Sequence, residues 1–170
     1  CDELLAVSIP ETAVKLRRVL NLAQMIQSHA LSVFYLSAPD LMLGMDGDPD
    51  ERNIMGILGV DPKLARNGVR LRQFGQQVIE RMSGKRIHPN WVVAGGVSDP
   101  LTPDAREAIL KDISEVKPIA QEALSWFIPL VDRFREEIKV FANFPTMYMG
   151  LINEDGSLNH YDRVLRLVDA

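Results

Sequence analysis

The sequence predicts a mainly α chain: a long-helix bundle with a small antiparallel β hairpin or sheet near its C-terminal end, an α+β organisation. Three observations carry this. Apolar side chains recur at steps of three and four through residues 16–34, 64–82 and 109–138. After Pro145 the period falls to two. Most of the punctuating glycines lie between those stretches, at 44–50, 84 and 95–96. The layout expected is a helical core over 1–145, with a loop at 84–97, and an antiparallel β excursion over 146–170.

Composition bounds the rest. The 170 residues fit one domain, or one domain with an appendage. Hydrophobic residues make up 46% and charged residues 25%, ordinary values for a globular protein. A net charge of −4 offers no basic field to nucleic acid. No apolar run approaches the ~18 residues of a membrane span. The single cysteine, Cys1, excludes an internal disulfide and a cysteine-based zinc site. The chain opens on Cys1-Asp2-Glu3 instead of methionine and closes within a strand-like pattern at Leu167 to Ala170. It is therefore expected to be a piece of a longer polypeptide.

Taken in order, Ser8-Ile9-Pro10-Glu11 reads as a capping box with a first-turn proline. Leu16, Leu20, Ala23, Gln27, Ala30 and Phe34 mark one face of the helix that follows. Val19, Leu22, Ile26 and Val33 widen that face, so burial on most sides is expected. Pro39 and the Gly44–Asp50 segment should stop it. Asp61-Pro62 opens a second long helix, whose seam runs Leu64, Gly68, Leu71, Gly75, Val78 and Met82 until Gly84 ends it. Its two glycines mark either close approach of a neighbour or packing compromises costing about 1 kcal/mol each. Thr102-Pro103-Asp104 caps a third helical region; Pro118 and Pro129 should divide it into segments or kink it. Met147 to Ile152 alternate, Asn153 to Ser157 turn, Leu158 to Tyr161 return as a partner strand, and Leu165 to Val168 add a third.

Several motifs fail on inspection. The carboxylates of Gly44–Glu51 lack calcium-loop spacing and read as a surface turn. Gly84-Lys85 lacks the first glycine and the Ser/Thr of a phosphate loop, and Gly95-Gly96 lacks the third glycine of a dinucleotide turn. No nucleophile-and-base set is legible, so no catalytic residue is assigned. Of three histidines, His160 should be solvated beside its turn. His29, with Met25, Ile26 and Val33 on its face, reads as a core histidine with a satisfied hydrogen bond, or as a functional group. His88 stands in a loop after Lys85-Arg86 and before Pro89, which should hold it extended; such a loop residue is the better functional candidate.

The run Gly84-Lys85-Arg86-Ile87-His88-Pro89-Asn90-Trp91 through Gly95-Gly96-Val97 resembles the large subunit of nickel–iron hydrogenases. So do Gln27-Ser28-His29-Ala30-Leu31 through Phe34-Tyr35-Leu36, then Ala38-Pro39-Asp40, as well as Ile9-Pro10 with Leu16-Arg17 and the Met147–Leu151 segment. The likeness covers nearly the whole chain and is greatest to the cytoplasmic, NAD-reducing, multi-subunit branch. It implies a parent enzyme that oxidises or evolves hydrogen at a nickel–iron centre carrying carbonyl and cyanide ligands. Its implied partners are a diaphorase module using NAD and flavin, together with an iron–sulfur small subunit.

In that family two Cys-x-x-Cys pairs, one near each end of the polypeptide, hold the metals. Neither is here, so the resemblance makes this chain the central framework between them, inert alone and with no metal or cofactor of its own. Its unpartnered faces should favour self-association. The resemblance sets His88 near the small subunit's iron–sulfur cluster, with Arg86 contributing charge, and includes His29 in a segment that often carries a second histidine where Ser32 stands. Ala94 replaces a usual proline and Arg163 a common turn glycine, departures expected to loosen the loop and alter the last hairpin. The competing reading is a non-catalytic helical interaction module, as in the related complex I subunit that has lost its metal site.

Overall fold

The computed structural model describes residues 2–162 and 164–168. The expectations for Cys1 and Arg163 lie outside these described residues. The chain divides into two compact units, Cys1–Arg133 and Phe134–Ala170.

In the first unit, α1 spans Glu11–Ala30 and runs directly into a π-helical segment, Leu31–Ser37, and then into α2, Ala38–Leu43. The capping box does not form. Pro10, extended at φ −58° and ψ 142°, is itself the residue before the helix, which leaves Ser8 too far upstream to cap it. Nor does Pro39 stop the helix. The π turn shifts the ladder so that the Ala38 amide donates to the Val33 carbonyl, and Pro39 falls in the first turn of α2, where no amide is needed. Gly44, at φ 96°, makes the stop.

A short helix that the periodicity did not announce, α3, spans Ile54–Val60, with the Asn53 side chain accepting from the Met55 and Gly56 amides. The Gly44–Glu51 stretch is a run of turns, as expected.

The second long helix, α4, spans Pro62–Ser83; its seam residues Leu64, Gly68, Leu71, Gly75, Val78 and Met82 are all buried. The Asp61 carboxylate accepts from the Leu64 amide at 2.9 Å, and Gly84 closes the helix at φ 74°. The seam glycines meet the first helix. A Cβ at Gly68 would stand 2.5 Å from Phe34 Cγ, and one at Gly75 2.7 Å from the Ala23 carbonyl oxygen. Close approach, not compromise, explains them.

The third region is α5, Pro103–Arg133, capped by the Thr102 hydroxyl accepting from the Ala105 amide. It runs unbroken through Pro118 and Pro129. Arg70 of α4 makes a forked pair with Glu115 of α5, at 2.9 and 2.6 Å, and Arg81 bonds Asp112 at 2.6 Å. The Phe34 and Trp126 rings stack at 6.3 Å.

The expectation that α1 is buried on most sides is corrected. Only Ala13, Ala23 and Ala30 of α1 are buried, whereas Leu22 is 48% exposed. The reason is geometric: α1 and α5 both pack on α4, leaving between them an apolar groove of about 360 Å³ floored by Leu71, Phe74 and Val78.

In the second unit, α6 spans Arg135–Val140, and β3, Tyr148–Ile152, pairs antiparallel with β4, Val164–Val168. The register sets Tyr148 opposite Val168 and Ile152 opposite Val164. The turn at Asn153 to Ser157 forms as expected, closed by the Asn153 amide on the Ser157 carbonyl. The Leu158–Tyr161 partner strand does not. Leu158 makes one isolated bridge to Ile152, and the Asn159 side-chain oxygen accepts from the Tyr161 and Asp162 amides, taking donors a ladder would use. The sheet is two-stranded. His160 is exposed, as expected.

Candidate functional site

The loop at 84–97 is built from both ends. At its start the Ser83 hydroxyl donates to the Ile79 carbonyl at 2.6 Å, continuing the end of α4 into the loop. Arg86 then turns back, its Nε donating to Glu80 at 2.8 Å in an exposed pair. His88 is exposed and sits at φ +49°, which corrects the extended geometry expected of it. Pro89 bars the right-handed well for the residue before it. Of the wells that remain, the loop takes the left-handed one, which histidine tolerates better than most residues.

Trp91 anchors the middle. It is 2% exposed, and its indole N–H donates to the Asp99 carbonyl at 3.0 Å. From there β1, Val92–Val93, and β2, Gly96–Val97, form a hairpin around Ala94-Gly95, with Gly95 at φ 81°.

The hairpin tip is held from elsewhere in the chain. Arg17 of α1 donates from Nε and Nη2 to the Gly96 carbonyl, at 3.0 and 2.8 Å, and from Nη2 to the Val93 carbonyl at 2.6 Å. Its Nη1 donates to Asp2 at 2.9 Å, and the other Asp2 oxygen accepts from the Gly95 amide at 2.8 Å. The Arg17 hydrogen bond first, then the Gly95 amide, hold the Asp2 carboxyl down at a pKa of about 2. The sequence alone gave no sign of Asp2, and of Arg17 only its place in a resemblance. One arginine four residues after Ala13 on a helix face was the signal available.

The structure brings Arg86 and His88 onto one loop but leaves His29 apart from it. The expectation of a core histidine at 29 is corrected too. His29 is exposed on α1 with Nδ1–H donating to the Met25 carbonyl at 2.8 Å. It sits at the rim of a second apolar cavity, about 260 Å³, beside Val33, Leu124 and Phe127. Helix geometry aims a side chain back toward the preceding turn, which satisfies its nitrogen without burying the ring.

The donor set does not fit a thiolate-held metal centre: Cys1 is the one thiol in the sequence, and among the described residues no three His, Cys, Asp or Glu groups converge as ligands would. Among the same residues no helix is long and apolar enough to cross a membrane.

In sequence and in fold the chain is related to hydrogenase subunits. It is 39% identical over 167 residues to a vhu-type F420-non-reducing hydrogenase subunit of Methanocaldococcus jannaschii, covering 98% of this chain and 40% of that protein. It is 34% identical over 169 residues to the beta subunit of the NAD-reducing hydrogenase HoxS of Cupriavidus necator, covering 96% of this chain and 35% of the relative. A crystal structure of an NAD+-reducing NiFe hydrogenase in the H2-reduced state matches with a TM-score of 0.86 and 39% identity, over 95% of this chain and 36% of that one. The chain thus spans well under half the length of these relatives. No family model matches it.

Proposed function

We propose that this chain is the central framework of a nickel–iron hydrogenase large subunit, closest to the NAD-reducing branch. The parent oxidises or evolves hydrogen, delivers electrons to an iron–sulfur small subunit, and has NAD+ as final acceptor through a diaphorase module, in the cytoplasm. The observation that supports it best is the match to the NAD+-reducing enzyme over 95% of this chain. On this reading the metals are held outside the residues present here, and the chain alone is inert. Its own contribution is architectural. The helices of the first unit set the 84–97 loop in place. Self-association of the isolated chain follows from the exposed apolar face at Val19, Leu22 and Ile26.

In this reading His88 faces the iron–sulfur subunit. An imidazole N–H, and the Arg86 guanidinium to the extent that its pairing with Glu80 leaves charge, would raise the potential of a neighbouring cluster by stabilising its reduced, more negative state. His29, tied to the Met25 carbonyl, keeps its ring in one orientation at the rim of the second cavity and is the lesser contributor.

The test is His88→Ala in the assembled enzyme. Electron delivery to an external acceptor should fall about tenfold while hydrogen/deuterium exchange at the metal stays within about twofold, a difference of roughly 1.4 kcal/mol in one step only. Equal loss of both activities, or of neither, would overturn the placement of His88.

A further inference from the structure

We propose that Arg17, locked by Asp2, is the positioning residue of the 84–97 loop, holding the hairpin tip and through it the backbone that presents His88. The inference rests on the proposed role of that loop.

The loop cannot hold itself. Its strands are two residues each, and its Ala94-Gly95 turn carries a glycine at φ 81°, followed by a second at Gly96, where backbone freedom is greatest. His88 occupies a left-handed conformation, which persists only where the surroundings impose it. The imposed frame is a closed ring of hydrogen bonds. The guanidinium serves the Val93 and Gly96 carbonyls and Asp2, while Asp2 returns to the Gly95 amide between them. Three separate segments are tied by it: the N-terminal turn, α1 and the hairpin. The Arg17 side chain is 12% exposed, and its bonds to Asp2 and to the Gly96 carbonyl are partly shielded from competing water.

From the tip the constraint passes to Trp91, whose carbonyl accepts from the Ser98 amide across the base of the hairpin at 2.9 Å. His88 lies three residues before Trp91, joined to it through Pro89 and Asn90. Only an arginine can do this: the planar fork supplies parallel donors to two carbonyls and a carboxylate, and a lysine ammonium cannot span them.

The test uses the full chain, with amide hydrogen exchange resolved at Gly95, at Ser98 and along α4. Arg17→Lys keeps charge and helix. It should speed exchange at Gly95 about tenfold or more, leave α4 exchange within about twofold, and split or broaden the His88 ring resonances. Asp2→Asn should speed Gly95 exchange less and abolish the acid titration of the Gly95 amide shift that the Asp2–Gly95 hydrogen bond leads us to expect of wild type. Unchanged Gly95 exchange in Arg17→Lys would overturn the proposal. So would equal acceleration at Gly95 and in α4, the mark of general destabilisation. If Arg17→Lys does not fold, the Asp2→Asn titration decides alone, and persistence of the titration there refutes the clamp. In the assembled enzyme, Arg17→Lys should slow electron delivery as His88→Ala does. Loosened Gly95 exchange with undiminished electron delivery would leave the clamp standing and sink the reading of the loop.

Discussion

At the scale of single residues, the two seam glycines of α4 carry unequal constraints. A methyl group at Gly75 would stand 2.7 Å from the Ala23 carbonyl oxygen and 2.8 Å from the Gln27 backbone nitrogen. Backbone meets backbone there, and relief requires the helices to part. At Gly68 the obstacle is the Phe34 side chain. Alanine gains about 1 kcal/mol of helix propensity at either site, while overpacking costs about 1–3 kcal/mol. At Gly75, where backbone meets backbone, the cost falls in the upper part of that range, so Gly75→Ala should lower stability by about 1–2 kcal/mol in urea titration, and no single side-chain change should rescue it. Gly68→Ala should be rescued in part by Phe34→Leu. A neutral or stabilising Gly75→Ala would mean the helices do not meet at this seam. The glycines were legible in the sequence because their spacing kept step with leucine and valine on the same face. Asp2 and Arg17 were not. Their partners on the hairpin lie 76 to 93 residues away, and no local period encodes such a contact.

At the scale of elements, what could be read were helices whose termini are local chemistry. Asp61-Pro62, Gly84 and Thr102 act on backbone groups within four residues, and each does in the fold what its sequence implied. Failures fell where two local options compete. Pro10 took the cap position from Ser8, the π turn absorbed Pro39, and the Asn159 side chain took the amides that a strand at 158–161 needed. Helix α5 is a further case. Pro118 frees the Ser114 carbonyl and its ring crowds that turn, yet both residues are exposed, so water meets the carbonyl and the helix continues. The break comes instead at Phe134, at φ −105° and ψ 23°. Restoring the donor should help: Pro118→Ala is expected to raise stability by about 1–3 kcal/mol, seen as a higher Tm with a larger helical signal. No gain would show that α5 is shaped around the proline.

At the scale of the whole molecule, the alternating pattern after Pro145 correctly announced strands but said nothing of how well they are buried. Burial decides their stability. The first unit holds a core of Phe34, Ile57, Leu64, Phe74, Val78 and Trp91, all under 7% exposed. Among the described residues of the second unit none is buried, and Leu165 and Leu167 stand 58% and 59% exposed on one face of a two-stranded sheet. A two-stranded hairpin without a covered face is marginal in water, because apolar burial does not offset the cost of ordering the chain. The two units should therefore separate in native-state hydrogen exchange. Amides of α4 should exchange only through global opening, with protection near the full unfolding free energy, while those of β3 and β4 exchange through local opening and are protected far less. Low concentrations of urea should leave the β3–β4 rates nearly unchanged, since local opening exposes little new surface, and should speed α4 exchange steeply. Equal protection and equal urea slopes would mean that the strands share the helical core's cooperativity. Their apolar faces would then have to be covered in solution, with self-association of the chain the first cause to test by repeating the exchange at tenfold lower concentration.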